Sequence, residues 1–205
     1  VYGQLLQAAG VTVLRGRARV APDGAVLVEG HEESLRPRHV LVATGGWPVL
    51  PELPGSELAI TSNEVFDLPQ FARRLTVVGG GYIACEFASI FRGLGAQVTL
   101  LYRGDQVLRG FDDDVRQFLA QEMRKKGVDL RVHAEPERIT GTPGELSVHL
   151  MDGSVVEADT VLCATGRRPN TAGLGLAEAG VALTDNGAIV VDEHYASSRP
   201  GLYAL

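Results

Sequence analysis

The chain has 205 residues, 45% of them hydrophobic, and a formal net charge of −6. It can bury one large core or two small ones, and it lacks the basic excess of a nucleic-acid binder and the charge runs of a disordered tail. Its apolar stretches are strand-sized and interrupted, so no segment is expected to span a bilayer.

The start, Val1-Tyr2-Gly3, carries no initiator Met, basic n-region or signal-like apolar run, which suggests the middle of a longer chain. Residues 1–9 read as the end of a helix stopped by Gly10. Short strands are expected at 11–14, 16–20 and, after a Pro22-Asp23-Gly24 turn, at 25–29. A continuous apolar strand at 39–43, closing on Thr44-Gly45-Gly46, completes a β-meander and is expected to be buried on both faces. Prolines at 48, 51, 54 and 69 then mark an irregular connection, the best candidate for a crossing between domains. Within it, Thr61-Ser62-Asn63-Glu64 has the form of a cap for a short helical turn at 65–68.

Leu75-Thr76-Val77-Val78 reads as a buried strand broken by Gly79-Gly80-Gly81. Residues 82–91 then place Ile83, Phe87, Ile90 and Phe91 at helical spacing, with Ala84 and Ala88 among them. In the pattern G-x-G-x-x-G/A the small positions are Gly79, Gly81 and Ala84. The first permits the sharp turn, the second lets a pyrophosphate approach bare backbone, and the third lets helix pack close on strand. The phosphates belong at the helix N-terminus, where free N–H groups and the dipole favour an anion. A second strand at 97–102 follows a Gly93-Leu94-Gly95 stop, giving the strand–helix–strand setting that this motif requires.

At the end of that second strand, an NAD site offers Asp or Glu to the ribose hydroxyls. Here the strand ends on Tyr102 and Arg103, with Arg109 six residues on; Asp105 falls past the strand end, in the loop. Losing the acid removes repulsion against a 2′-phosphate, and the guanidiniums supply charge-assisted hydrogen bonds to it. The spacing therefore points to NADPH rather than NADH.

Asp112-Asp113-Asp114 opens a helix, as acidic N-terminal residues rather than metal ligands, and Arg124-Lys125-Lys126 and Gly127 close it. Val115, Phe118, Leu119 and Met123 are expected to form its apolar face. Strands follow at 129–133 and 137–140, then a hairpin of 146–151 and 155–158 around Asp152-Gly153, then a buried strand at 160–164 closing on Thr165-Gly166-Arg167. An Asp-Gly turn, strand, apolar strand and Ala-Thr-Gly recur in this order around Asp23 to Gly45 and Asp152 to Gly166, which suggests two similar nucleotide-binding modules. A further turn at 185–187 and strand at 188–191 end the chain. Cys85 and Cys163 are isolated and read as core residues in a reducing cytosol. The five histidines have no ligand spacing, so neither metal binding nor histidine catalysis is expected.

These motifs resemble the central part of the glutathione-reductase branch of the pyridine nucleotide–disulfide oxidoreductase family. The resemblance covers nearly the whole chain. It rests on Ala43-Thr44-Gly45-Gly46, Ile60 to Glu64, Gly79 to Glu86, Tyr102-Arg103 with Leu108 to Asp112, Ala164 to Arg167 with Pro169-Asn170-Thr171, and Val191-Asp192-Glu193. It implies an α/β fold: a Rossmann-like doubly wound parallel sheet with a β-meander at 47–167 as the NADPH-binding domain. Residues 1–46 and 168–205 would be flanking pieces of a second, similar FAD-binding domain.

The resemblance also implies roles. Tyr82 resembles the tyrosine that gates the nicotinamide pocket over the flavin, and Glu86 the glutamate that pairs with a lysine near the flavin, located before Val1. Gly79, Gly81, Ile83 and Ala84 belong to the cofactor turn, Arg103 and Arg109 to the 2′-phosphate grip, and Gly166 and Arg167 to the cofactor cleft. The family's redox disulfide would lie upstream, its Gly-Asp contact to FAD just after Leu205, and its dimer domain further on. The implied whole protein is a cytoplasmic homodimer that passes hydride from NADPH through FAD to a disulfide and then to oxidised glutathione; this chain alone is expected to be inactive. Trypanothione-, mercuric- or dihydrolipoamide-type enzymes, and a non-catalytic nucleotide-binding module, remain alternatives.

Overall fold

The computed structural model describes residues 2–205. The chain forms two units, one combining the residues up to Trp47 with Arg168–Leu205, the other comprising Pro48–Arg167. Among the described residues no helix is long and apolar enough to cross a membrane.

The first unit opens with helix α1 (Tyr2–Ala8), which has no buried residue; the expected helix began at Val1, which lies outside the described residues. Strands β1 (Ala18–Val20) and β2 (Val26–Val28) form an antiparallel hairpin, its turn closed by a bond from the Ala25 N–H to Asp23 Oδ1 at 3.1 Å. Residues 11–14, expected as a strand, form none and stand open to solvent. Strand β3 (Val40–Val42) pairs in parallel only with the last strand, Leu202–Ala204. It is not buried on both faces as expected. Val42 faces a core with Val20, Leu176, Val181 and Leu202, while Leu41 is 57% exposed, because only one side of so small a sheet is covered. The strand expected at 188–191 is reduced to single bridges at Ile189 and Val191. Here the Asp192 carboxylate takes the N–H groups of His194 and Ala196, both at 2.9 Å, and such side-chain bonds compete with a ladder.

The chain leaves this unit along β4 (Gly46–Pro48). The short turn forms at Glu64–Asp67, one residue before the expected 65–68, and no side chain caps it; the Glu64 carboxylate instead reaches back to accept from the Thr61 N–H and hydroxyl (2.8 and 2.6 Å). Then come β5 (Arg74–Val78), α2 (Tyr82–Gly93), β6 (Gln97–Leu101), α3 (Asp113–Lys125) and β7 (Asp129–Arg131). The meander is β8 (Pro136–Thr142), β9 (Glu145–Leu150) and β10 (Val155–Ala158). Strand β11 (Thr160–Cys163) closes the unit, β12 (Arg167–Pro169) leads out of it, and β13 (Leu202–Ala204) ends the chain.

The β-branched run of β5 sits at the centre of a parallel sheet ordered β11-β5-β6-β7. Its side chains alternate between two cores, as period-2 geometry requires. Leu75, Val77, Leu100 and Leu162 pack under α2 and α3; Val78, Leu101, Val161 and Cys163 pack under the antiparallel sheet β10-β9-β8. Each such side chain contributes about 1.5–3 kcal/mol by burial. The doubly wound Rossmann-like sheet with its meander is therefore present. Fully buried Ala84 and Ala88 let α2 lie close on the sheet.

Helix α3 begins where expected: Asp112 Oδ1 accepts from the N–H groups of Asp114 and Val115 (3.0 and 3.3 Å). Its inward face differs. Ala120 and Met123 are buried with Leu119 beside them, whereas Val115 and Phe118 are exposed, the latter by 66%. The stripe continues through Arg116, whose side chain is only 14% exposed. A charged residue thus occupies a place that apolar counting assigned elsewhere.

Arg74 and Asp159 tie the start of β5 to the turn before β11. The carboxylate accepts from the Arg74 N–H (2.9 Å) and Nε (2.8 Å), with Nη2 at 2.7 Å. Burial pushes the Asp159 carboxyl up, but the Arg74 hydrogen bonds and charge outweigh it and hold the group below its ordinary range. Asp159→Ala is expected to cost about 1–2 kcal/mol at neutral pH in urea unfolding, the lower part of the range for charged hydrogen bonds because the pair is partly open to solvent. A depressed folded value means this contribution is complete above the ordinary value of 3.8 and fades as pH falls through the lower folded one. Wild type and variant should converge in acid.

Candidate functional site

Val78, Leu101 and Cys163 are in register across the parallel sheet, so the chain leaves β5, β6 and β11 along one edge. The loops leaving it carry Gly79–Gly81, Tyr102–Gly110 and Ala164–Arg167. Successive crossovers run from β5 to β6 to β7, and the chain then returns to β11 on the other side of β5. The change of direction between β5 and β11 is where open parallel sheets bind ligands, outside the carboxyl ends of the strands.

The glycines of the turn do different things. Gly79, at φ +139°, passes so close to β11 that a Cβ would stand 2.8 Å from the Ala164 carbonyl carbon. Gly81 is the N-cap of α2 and has no such neighbour: nothing lies within 4 Å of its Cβ position. No side chain caps this helix, and its first bond runs from the Cys85 N–H to the Gly81 carbonyl at 3.1 Å. The N–H groups of Tyr82, Ile83 and Ala84 therefore begin the helix without intrahelical acceptors, on a dipole end that favours negative charge. A bare backbone, free donors and open space above Gly81 fit the pyrophosphate of a dinucleotide.

Ala84 is buried and serves packing, Ile83 is half-buried, and Tyr82 (56% exposed) and Glu86 project outward from the first turns of α2, four residues apart. Gly166, at φ +154°, has open space around it, and it and Arg167 are exposed at the end of β11. Arg103 and Arg109 are exposed on the loop after β6, and among the described residues neither makes a hydrogen bond or ion pair. Asp105, on the same loop, does not neutralise them.

That loop is held firmly. Val107 and Leu108 are buried in the helix-side core. Leu108, at φ +56°, donates its N–H to the Gly80 carbonyl at 2.6 Å, joining the loop to the glycine turn. Arg116 reaches back from α3 to the carbonyls of Val107 (2.9 Å) and Gln106 (3.0 Å) while pairing with Asp113 at 2.7 Å. In the sequence Leu108 stood only as the first residue of the Leu108 to Asp112 marker and Arg116 was not singled out, because nothing local signals the bonds that either one makes.

The cysteines are chemically quiet. Cys85 stands in the first turn of α2, where a thiolate is ordinarily favoured. Burial, with a smaller contribution from the Glu86 charge, instead pushes it up to about 11, and burial pushes Cys163 to about 12. Among the described residues no cluster of histidine, cysteine and acidic side chains could hold a metal ion.

The sheet order, the glycine turn and the bare helix start define a Rossmann-type nucleotide-binding protein. The sequence profile of the pyridine nucleotide-disulphide oxidoreductases matches residues 2–205, and the chain belongs to that family of flavin-dependent disulfide reductases. It is 49% identical over 205 residues to a glutathione reductase of Burkholderia cepacia, covering the whole chain and 45% of that protein. A glutathione reductase of Nostoc is 40% identical over 212 residues, covering 98% of the chain and 46% of the relative. A trypanothione reductase of Trypanosoma congolense is 42% identical over 178 residues, covering 85% and 36%. The structure of the HOCl-induced flavoprotein disulfide reductase RclA from Escherichia coli matches with a TM-score of 0.90 at 29% identity, covering all of this chain and 48% of that one. The chain spans about half the length of the curated relatives it matches.

Proposed function

We propose that Pro48–Arg167 is the NADPH-binding unit of a flavin-dependent disulfide reductase whose substrate is oxidised glutathione. The observation that carries this reading is the pair of unpartnered guanidiniums, Arg103 and Arg109, on a loop bonded through Leu108 to the glycine turn. When bound, NADPH supplies the hydride and FAD relays its electrons to a disulfide. The residues of this chain bind and orient. The N–H groups at the start of α2 hold the pyrophosphate over Gly81, and Arg103 and Arg109 hold the 2′-phosphate. Gly166 and Arg167 line the far side of the crevice. Tyr82, exposed on the first turn of α2, covers the nicotinamide pocket and moves aside for the cofactor, and Glu86 orients a lysine supplied by another part of the protein. Residues 1–46 and 168–205 contribute to the FAD-binding domain. The working protein is a cytosolic homodimer, and residues 2–205 alone are inactive.

Trypanothione disulfide is the second reading, favoured by the 42% identity to a trypanothione reductase. The test is NADPH oxidation by the purified full-length protein with each disulfide. Turnover is expected with oxidised glutathione and not with residues 2–205 alone. Turnover with trypanothione disulfide only, or with neither, would overturn the assignment.

A further inference from the structure

Tyr102 ends β6 with its ring between two glycines. A Cβ on Gly80 would stand within 2.5 Å of the ring's Cγ and Cε2, and a Cβ on Gly104 within 2.7 Å of Cε1 and 3.0 Å of the hydroxyl. Real side chains do not approach so closely, so the ring rests on bare backbone on both sides. One side is the middle residue of the cofactor turn, the other the residue that follows Arg103. Neither glycine has the positive φ that would by itself require glycine. Their missing side chains are explained by the ring.

The backbone around the ring is fixed as well. The Tyr102 N–H donates to the Arg131 carbonyl and its carbonyl accepts from the Ala134 N–H, both at 3.0 Å, while the Gly104 carbonyl accepts from the His133 N–H at 3.0 Å. With Leu108 bonded to the Gly80 carbonyl from the other end of the loop, the segment 102–108 touches the glycine turn at two places.

We propose that Tyr102 is a positioning residue for cofactor selectivity: its ring sets the spacing between the glycine turn, where the pyrophosphate sits, and the loop carrying Arg103 and Arg109. This rests on the reading of those arginines as the 2′-phosphate grip. A dinucleotide has a fixed distance between its pyrophosphate and its 2′-phosphate, so a turn and loop free to shift relative to each other lose the 2′-phosphate contact while keeping the pyrophosphate. The ring, not the hydroxyl, makes the contact with Gly80, so phenylalanine should serve.

The test is the affinity of the full-length protein for NADPH and for NADH, by titration, in wild type, Tyr102→Phe, Tyr102→Ala, Gly104→Ala and the Gly104→Ala/Tyr102→Ala double variant. Tyr102→Ala is expected to weaken NADPH binding about tenfold or more, as displacement of a positioning group by an ångström does, with NADH affinity changed by less than about twofold. Tyr102→Phe should keep wild-type selectivity. Gly104→Ala, which pushes on the ring without removing it, should lower selectivity in the wild-type background and do nothing further once the ring is gone. Equal losses for both nucleotides in Tyr102→Ala, or undiminished selectivity in both Tyr102→Ala and Gly104→Ala, overturn the inference alone. A wild-type protein that binds NADPH and NADH alike overturns both it and the arginine reading.

Discussion

Replacing Arg103 and Arg109 together by glutamine is expected to weaken NADPH binding on the order of a hundredfold or more, and NADH binding by no more than about threefold. Each charge-assisted hydrogen bond to the phosphate is worth about 1.5–3 kcal/mol. Both side chains are exposed and, among the described residues, without partners, so the change releases no described contact and leaves no buried group unsatisfied. Folding stability should stay within about 0.5 kcal/mol of wild type, the usual range for surface substitutions. Titration calorimetry with both nucleotides, at two salt concentrations, checks this. Equal losses for NADPH and NADH would make the arginines bystanders.

The second large effect separates two glycines of one turn. Gly79→Ala should cost about 3 kcal/mol or more, since strained backbone and overpacking each contribute roughly 1–3 kcal/mol. Its φ of +139° is closed to L side chains, and the added methyl would meet the Ala164 carbonyl. Gly81→Ala should leave the thermal midpoint almost unchanged, because Gly81 has ordinary extended angles (φ −80°, ψ 177°) and open space around it. On the proposed function, that space takes the pyrophosphate. NADPH and NADH should therefore both lose affinity, roughly ten- to a hundredfold, as one or more phosphate contacts are lost. Gly79→Ala would show in unfolding, Gly81→Ala in binding. An unchanged nucleotide affinity in Gly81→Ala would remove the anion from the start of α2.

The strand–turn–helix of β5 and α2 was readable because all its determinants are local: a β-branched run, glycines, then apolar residues at helical spacing. The hairpin around Asp152-Gly153 and the Asp112 cap were readable for the same reason, each being a short-range bond between a side chain or turn and neighbouring backbone. What escaped depends on contacts distant in sequence. The inward face of α3 was assigned to Val115, Phe118, Leu119 and Met123 because hydrophobicity alone was counted, and of these Leu119 and Met123 face the core. In the fold Arg116 lies on that stripe, its guanidinium satisfied by the carbonyls of Gln106 and Val107. Strand β3 looked doubly buried, but burial depends on what lies beside a strand and not on its own residues. Tyr102 read as a strand end and as part of a family marker, since the glycines against its ring give it its role only in three dimensions. Of the candidate site, the cofactor turn and the arginines were visible as residues. Their attachment to each other through Leu108 and Gly80 was not.

Cys85 lies in the first turn of α2, yet burial shields its sulfur and keeps it protonated at neutral pH. Cys163, at the end of β11, is shielded in the same way. A nucleotide-holding body with reactive sulfur would be open to oxidation and to mixed disulfides whenever oxidants are abundant. Keeping both thiols out of reach leaves the nucleotide-binding fold with no exposed thiol, among the described residues, for an oxidant or a disulfide to attack.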